Sequence, residues 1–105
     1  MKVFRKPLSF DWDQGNINKN FVRHLITTNM AEEPFKDKHL LTLPDPIHSK
    51  VEDRHHLIGQ TKDKVLLFIS YTNRKTKIRI ISARIADKKE RKFYEQQKTK
   101  KTASL

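Results

Sequence analysis

The sequence predicts an α+β domain: a small antiparallel sheet with two helices before it and one after, in the order β-α-α-β-β-β-β-α. Three observations carry this expectation. Val65-Leu66-Leu67-Phe68-Ile69 is an unbroken apolar run of the length of a central strand covered on both faces. Residues 51–58 and 78–84 flank it at hairpin distance, each rich in β-branched or alternating residues and separated from it by a polar turn. Helical signals stand on either side: Ile17, Phe21 and Leu25 recur at four-residue spacing before the sheet, and the capping box Asp87-x-x-Glu90 opens a cationic segment after it.

Taken in order, Leu8 to Trp12 reads as a short first strand. Asp13 is placed to cap a helix running to about Leu25, with Ile17, Phe21, Val22 and Leu25 facing inward. Thr27 or Thr28 can cap a second helix, which Pro34 keeps brief or irregular because it leaves an upstream carbonyl unpaired. His39 to Leu43 is the next strand, broken by Pro44-Asp45-Pro46. Val51 to Ile58 follows, with Gly59 to Asp63 as a turn. The central run comes next, then a polar turn over Thr72 to Thr76 and a closing strand from Ile78 to Arg84. The last helix spans about Ala86 to Gln97 with Phe93 facing in. This gives one domain over residues 1–97 and a flexible basic tail over 98–105.

Composition narrows the partners. Of 105 residues, 23 are Lys or Arg against 12 Asp or Glu, a net charge of +11. That balance attracts polyanions: nucleic acid first, an acidic protein next, an anionic membrane third. Hydrophobic content is 35% and mean hydropathy is −0.80, which leaves a thin core. The absence of cysteine removes disulfide and thiolate chemistry and fits a reducing compartment. No apolar run approaches the roughly 18 residues of a membrane span, and the N-terminus lacks the apolar core of a signal peptide. A cytoplasmic location is the expectation. Gly15 and Gly59 are the only glycines, so there is no phosphate-cradling Gly-rich loop and no nucleotide cofactor is expected.

The chemistry-bearing residues cluster in two places. Glu52, Arg54 and His56 stand at i, i+2 and i+4 and share one face of a strand. Together with Arg79 two strands along, they could surround a phosphate: arginine holds it, and an imidazole or a carboxylate moves a proton. The plain alternative is a Glu52–Arg54 surface pair of small energetic value. The second cluster is Lys77 to Glu95, where Arg79 and Arg84 lie on a strand and Lys88, Lys89, Arg91 and Lys92 follow on a helix. Arginine in a sheet needs an anion, either a carboxylate of the chain or a phosphate that comes to it. Arg79 and Arg84 are an odd number of positions apart, so they share a face only if the strand end bends or bulges into the helix. His48, His55 and His56 do not make a metal site by spacing, since the adjacent pair point to opposite faces, and no metal is expected. Trp12, ordinarily a packing residue, could stack on a base beside so many cations.

At these residues a resemblance emerges. Ile78-Arg79-Ile80-Ile81-Ser82-Ala83-Arg84-x-Ala86-x-x-x-Glu90-Arg91-x-x-Tyr94-Glu95 resembles the BrnT toxin family of bacterial type II toxin–antitoxin systems. Phe10-x-Trp12-Asp13 with Asn20-x-x-Arg23-His24 resembles the family's first strand and helix, and His48-Ser49-x-x-Glu52-x-Arg54 its middle motif. The likeness spans about residues 8 to 95. It implies a RelE-like fold and a metal-free ribonuclease acting on messenger RNA to halt translation. It also implies a BrnA-like antitoxin with a ribbon-helix-helix DNA-binding part, usually in a 2:2 complex that reaches operator DNA through the antitoxin. Three departures stand out: Leu25 where the family usually has glycine, Pro34 inside the second helix, and Asp87 in place of a threonine cap. None touches Glu52, Arg54, Arg79 or Arg84, the expected catalytic set. Trp12, His48, His56, Lys88 and Lys89 are the expected RNA-binding set. The rival expectations are a non-catalytic basic RNA- or ribosome-binding domain and a module whose basic face serves only an acidic partner.

Overall fold

The structure, a computed structural model, describes Phe4 and residues 7–17, 25–48 and 52–103, the side chains of 48 and 101–103 excepted. Four strands, β1 (Leu41–Pro44), β2 (Arg54–Gln60), β3 (Leu66–Arg74) and β4 (Lys77–Ile85), form one sheet whose spatial order follows the chain, every neighbouring pair antiparallel. Two α-helices lie among the described residues, α1 (Thr28–Glu32) and α2 (Lys88–Ala103). The expected order with three helices is therefore not matched. Most of the expected first helix falls on residues 18–24, outside the described residues. No helix among the described residues is long and apolar enough to cross a membrane.

Alternation sorts the strands into two faces. Leu57, Leu67, Ile69, Tyr71, Ile78, Ile80 and Ala83 build one apolar layer, closed over by Phe4, Ile26, Ala31 and Phe35. Phe35 sets its ring edge-on to Tyr71 at 5.2 Å, an arrangement favoured by the ring quadrupoles. The opposite face is apolar at one end only, where Ile58 and Leu66 meet Ala86 and Tyr94 of the α2 region. Tyr94, not the expected Phe93, is the inward residue of this helix: Tyr94 is fully buried and Phe93 is exposed. The Tyr94 hydroxyl donates to Asp37 at 2.7 Å, and the same carboxylate accepts from the Gln60 amide, so one half-buried carboxylate straps the helix to the sheet. Burial and the Asp37 carboxylate both push the Tyr94 hydroxyl's pKa upward.

Several boundaries move, each for a local reason. The expected first strand is a single parallel bridge, Phe10 to Ile78, with the Asp11 amide donating to Ile78 and the Ile78 amide to Ser9. Thr27 caps α1 by accepting from the Met30 amide at 3.1 Å, and Pro34 holds the next segment, Glu33–Lys36, as a 3-10 turn. Gly59 lies inside β2 rather than in a turn. A Cβ there would meet the Pro34 carbonyl oxygen at 2.9 Å, so glycine lets the 3-10 turn press on the strand. β3 continues through Arg74, which shortens the expected polar turn, and α2 continues past Gln97 to Ala103. Ile17 and Leu25, expected to face inward, are exposed. Leu25 takes φ 57°, a left-handed conformation that glycine adopts more readily than leucine.

Candidate active site

Beyond the end that Tyr94 covers, the second sheet face carries charge. Arg54 and His56 of β2 project there, and the register places them in cross-strand rows: Arg54 with Thr72 and Arg79, His56 with Ser70 and Ser82. The next row is Ile58, Phe68 and Arg84. Arg79 and Arg84 share this face because β4 bulges. Ser82 pairs with Ser70 and Ile80 with Tyr71, which leaves Ile81 as the extra residue. The buried positions change parity across it, from Ile78 and Ile80 to Ala83. One inserted residue thus turns two arginines an odd number of positions apart onto one surface.

Both of these β4 arginines meet a carboxylate of the chain. Arg79 donates through both terminal nitrogens to Asp13, 3.0 Å to each oxygen, and lies 3.6 Å from Asp11. Asp13 is brought there by a pinned loop. The buried Asn16 donates to the Asp11 and Ile80 carbonyls and accepts from the Asp13 amide. The Gly15 amide donates to Asp13, and a Cβ on Gly15 would meet the pair at 3.0 and 3.1 Å. Bonding to Arg79 holds the Asp13 carboxyl below its usual range. Glu52 is not paired with Arg54 as its spacing allowed. Its carboxylate takes a bidentate bond from Arg74, at 2.9 and 3.2 Å, which lowers its pKa, with smaller contributions from Arg54 and Arg79. Arg84 donates to both oxygens of Glu90 at 2.8 Å and sits 4.3 Å from the Phe68 ring centre.

Glu90 does two jobs. It accepts from the Asp87 amide while its own amide donates to the Asp87 carboxylate, the reciprocal cap expected from the sequence, and it also clamps Arg84. The His56 ring lies tilted against Phe68 with the centroids 4.7 Å apart, and its Nε2 is 3.0 Å from the buried Asp45. His55 turns to the opposite face, 5.4 Å from Tyr71, as strand parity requires. The other expected residues lie outside these cross-strand rows. Lys88 and Lys89 are exposed in the first turn of α2, and His48 ends the 3-10 turn Pro46–His48. Trp12 is half-buried against the first core and donates its indole N–H to Glu32 at 2.7 Å, so its ring has a packing place in the folded chain.

Asp13, Asp45 and Arg74 were not legible as site residues. Each sits in a segment that reads as a cap, a chain break or a turn, and its partner is distant in sequence, Asp13 and Arg79 being 66 positions apart. Glu90, six positions after Arg84, was the one partner within reach of a spacing argument.

The sequence model of the BrnT family, described as the ribonuclease toxin of a type II toxin–antitoxin system, matches residues 12–90. No curated protein matches the chain. The family match runs from Trp12, at the edge of the first core, through β2 and β4 to Glu90 at the clamp on Arg84, and so covers the whole charged face. The chain belongs to the BrnT family of type II toxin–antitoxin ribonuclease toxins.

Proposed function

We propose that this chain is a metal-independent endoribonuclease of RelE-like type that cleaves messenger RNA and thereby halts translation. The ribose 2′-hydroxyl attacks the adjacent phosphate in line, leaving a cyclic phosphate and a free 5′-hydroxyl. Arg54, Arg79 and Arg84 hold the phosphate and the charge that builds on its oxygens. Glu52 orients an arginine or accepts the proton, with His56 as the alternative base. Lys88 and Lys89 in the first turn of α2 add attraction for the rest of the strand. The observation that carries this reading is the gathering of Arg54, His56, Arg79 and Arg84 on one sheet face by the bulge at Ile81. One well-placed donor to a developing charge is worth roughly 10²–10³ in rate, so three arginines can rival an ideal base.

The net charge of +11 supports an acidic partner that covers this face. We assign that role to a BrnA-like antitoxin with a ribbon-helix-helix part, in a 2:2 complex that binds operator DNA through the antitoxin. A non-catalytic RNA- or ribosome-binding role is favoured by one observation, that Arg79 and Arg84 both already hold carboxylates. One experiment separates the two. The purified chain is incubated with single-stranded RNA in EDTA, and cleavage with a cyclic phosphate end is expected. Cleavage that disappears in EDTA and returns with a divalent ion would reject the metal-free mechanism. Tight binding without cleavage under any condition would establish the binding role instead.

A further inference from the structure

We infer that Asp45 and His56 form the proton-transfer pair of this face: Asp45 orients the imidazole, and His56 takes the proton of the attacking 2′-hydroxyl. The inference deepens the ribonuclease reading and rests on it. Asp45 follows β1 between two prolines, and its amide donates to the Arg54 carbonyl at 3.1 Å, one step beyond the last β1–β2 pair. The chain break is therefore fixed in place rather than loose. Asp45 is 6% exposed, and a carboxylate that deep needs a cationic or hydrogen-bonding partner. It meets His56 Nε2 at 3.0 Å. An imidazole that donates its Nε2–H to a carboxylate keeps its lone pair on Nδ1, the atom that must accept a proton.

The surroundings of His56 suit that task. His56 and Arg84 both approach the ring of Phe68, at 4.7 and 4.3 Å, so a base and a phosphate-holding cation flank one rigid side chain. Three other carboxylates that pair with arginines of this face are already committed. Glu52 accepts from Arg74, Asp13 from Arg79, and Glu90 from Arg84 and its own cap. The reaction balances with His56 alone. The 2′-oxygen bonds to phosphorus as its proton passes to Nδ1, the P–O5′ bond breaks, and the departing 5′-oxygen takes a proton from water. The imidazolium then returns its proton to solvent.

The test is single-turnover cleavage of a short single-stranded RNA by the purified chain at saturating protein. His56→Gln keeps a side-chain N–H for Asp45 but cannot accept the proton. Its cleavage rate is expected to fall by about 10²–10⁴ while RNA affinity and Tm hold. His56→Ala should fall likewise and regain part of its rate when free imidazole is added, which a loss of folding or of docking would not permit. Asp45→Asn should slow cleavage by roughly 10–100-fold without weakening RNA binding, as loss of an orienting partner does. Unchanged cleavage in both His56 variants, or a loss of cleavage only in proportion to binding, overturns the pair while leaving the ribonuclease reading intact. No cleavage by the unsubstituted chain overturns both.

Discussion

Arg79 and Arg84 stand on one strand, face the same side and each make a two-pronged bond to a carboxylate, yet they are held in opposite ways. The partner of Arg79 is Asp13, 57% exposed at its side chain and carried on a loop from the other end of the chain. The partner of Arg84 is Glu90, 16% exposed, six positions on and itself fixed by the Asp87 cap. The Asp13 carboxylate faces solvent while the Arg79 side chain is only 14% exposed, against 39% for Arg84, so an RNA phosphate can compete with Asp13 from the solvent side of the pair. A half-buried pair with further hydrogen bonds resists exchange. Guanidinium has five N–H donors, and Glu90 engages two of its nitrogens from one edge, which leaves Arg84 able to meet a phosphate without releasing its clamp. The difference teaches that a paired arginine is not a spent one. If the proposed ribonuclease reading holds, Arg84 is anchored before substrate arrives and Arg79 is opened by it.

The largest expected effect tests whether both ends of the strand take part in cleavage. Arg79→Ala and Arg84→Ala should each lower single-turnover cleavage by roughly 10²–10³, with RNA binding reduced only modestly. Circular dichroism and Tm are measured first, since Arg79 also ties the N-terminal loop to β4 and Arg84 ties α2 to the sheet. If Arg79→Ala keeps its cleavage rate and loses only thermal stability, Arg79 is a strap for the loop, and the active face contracts to Arg54, His56 and Arg84.

A smaller effect separates the opened arginine from the anchored one. Asp13→Asn removes the charge that competes with phosphate at Arg79, so affinity for a short RNA should rise a few-fold in a fluorescence anisotropy titration. Tm should fall only slightly, because the Asp13 carboxylate is solvent-exposed and its loop stays held by Asn16 and the Gly15 amide. Glu90→Ala should behave in the reverse sense. It deletes half of the capping box and the clamp on Arg84, which costs about 1 kcal/mol of stability, and it frees the guanidinium to wander from the phosphate position, which slows cleavage. Equal responses of the two variants in Tm and in affinity would remove the distinction between the two arginines.

The meander was legible because its signal is local. Val65 to Ile69 had to be a central strand, and Asp87-x-x-Glu90 had to begin a helix, whatever the rest of the chain did. Arg54 and His56 on one face followed from parity alone. Three things escaped for one reason, that they depend on contacts between distant segments. Arg74 reads as part of a polar turn until Glu52 is seen beside it, and Asp45 reads as a loop residue until the β1–β2 pairing brings it to His56. Gly59 reads as a turn until Pro34 presses on its strand. Tyr94 displaced Phe93 because its hydroxyl, unlike a phenyl ring, can satisfy Asp37 at the bottom of the interface. Counting showed only that Arg79 and Arg84 need a bend or bulge to share a face, and no residue in Ile80-Ile81-Ser82 announces the bulge at Ile81.

The smallest expected effect on chemistry belongs to charges that lie outside the contrast altogether. Lys100 and Lys101 stand near the end of α2, well past Tyr94, the residue that docks the helix. Lys100 is exposed, and both positions lie on α2 rather than in the rows formed by Arg54, His56, Arg79 and Arg84. Lysines so placed add diffuse attraction to a polyanion, and each phosphate left unneutralised should lower the salt slope of single-strand binding by about 0.7. Lys100→Ala with Lys101→Ala should therefore weaken RNA binding at low salt and flatten its salt dependence. Single-turnover cleavage at saturating protein should stay at the wild-type rate if, as proposed, the arginines of the sheet face hold the reacting phosphate. The double variant thus gives the baseline for the arginines. A guanidinium that positions the reacting phosphate must cost more rate than affinity, whereas a docking charge costs affinity alone. Cleavage by the lysine variant that falls as far as it does in Arg84→Ala would show that the face acts through summed charge, and the distinction between placed and diffuse cations would be lost.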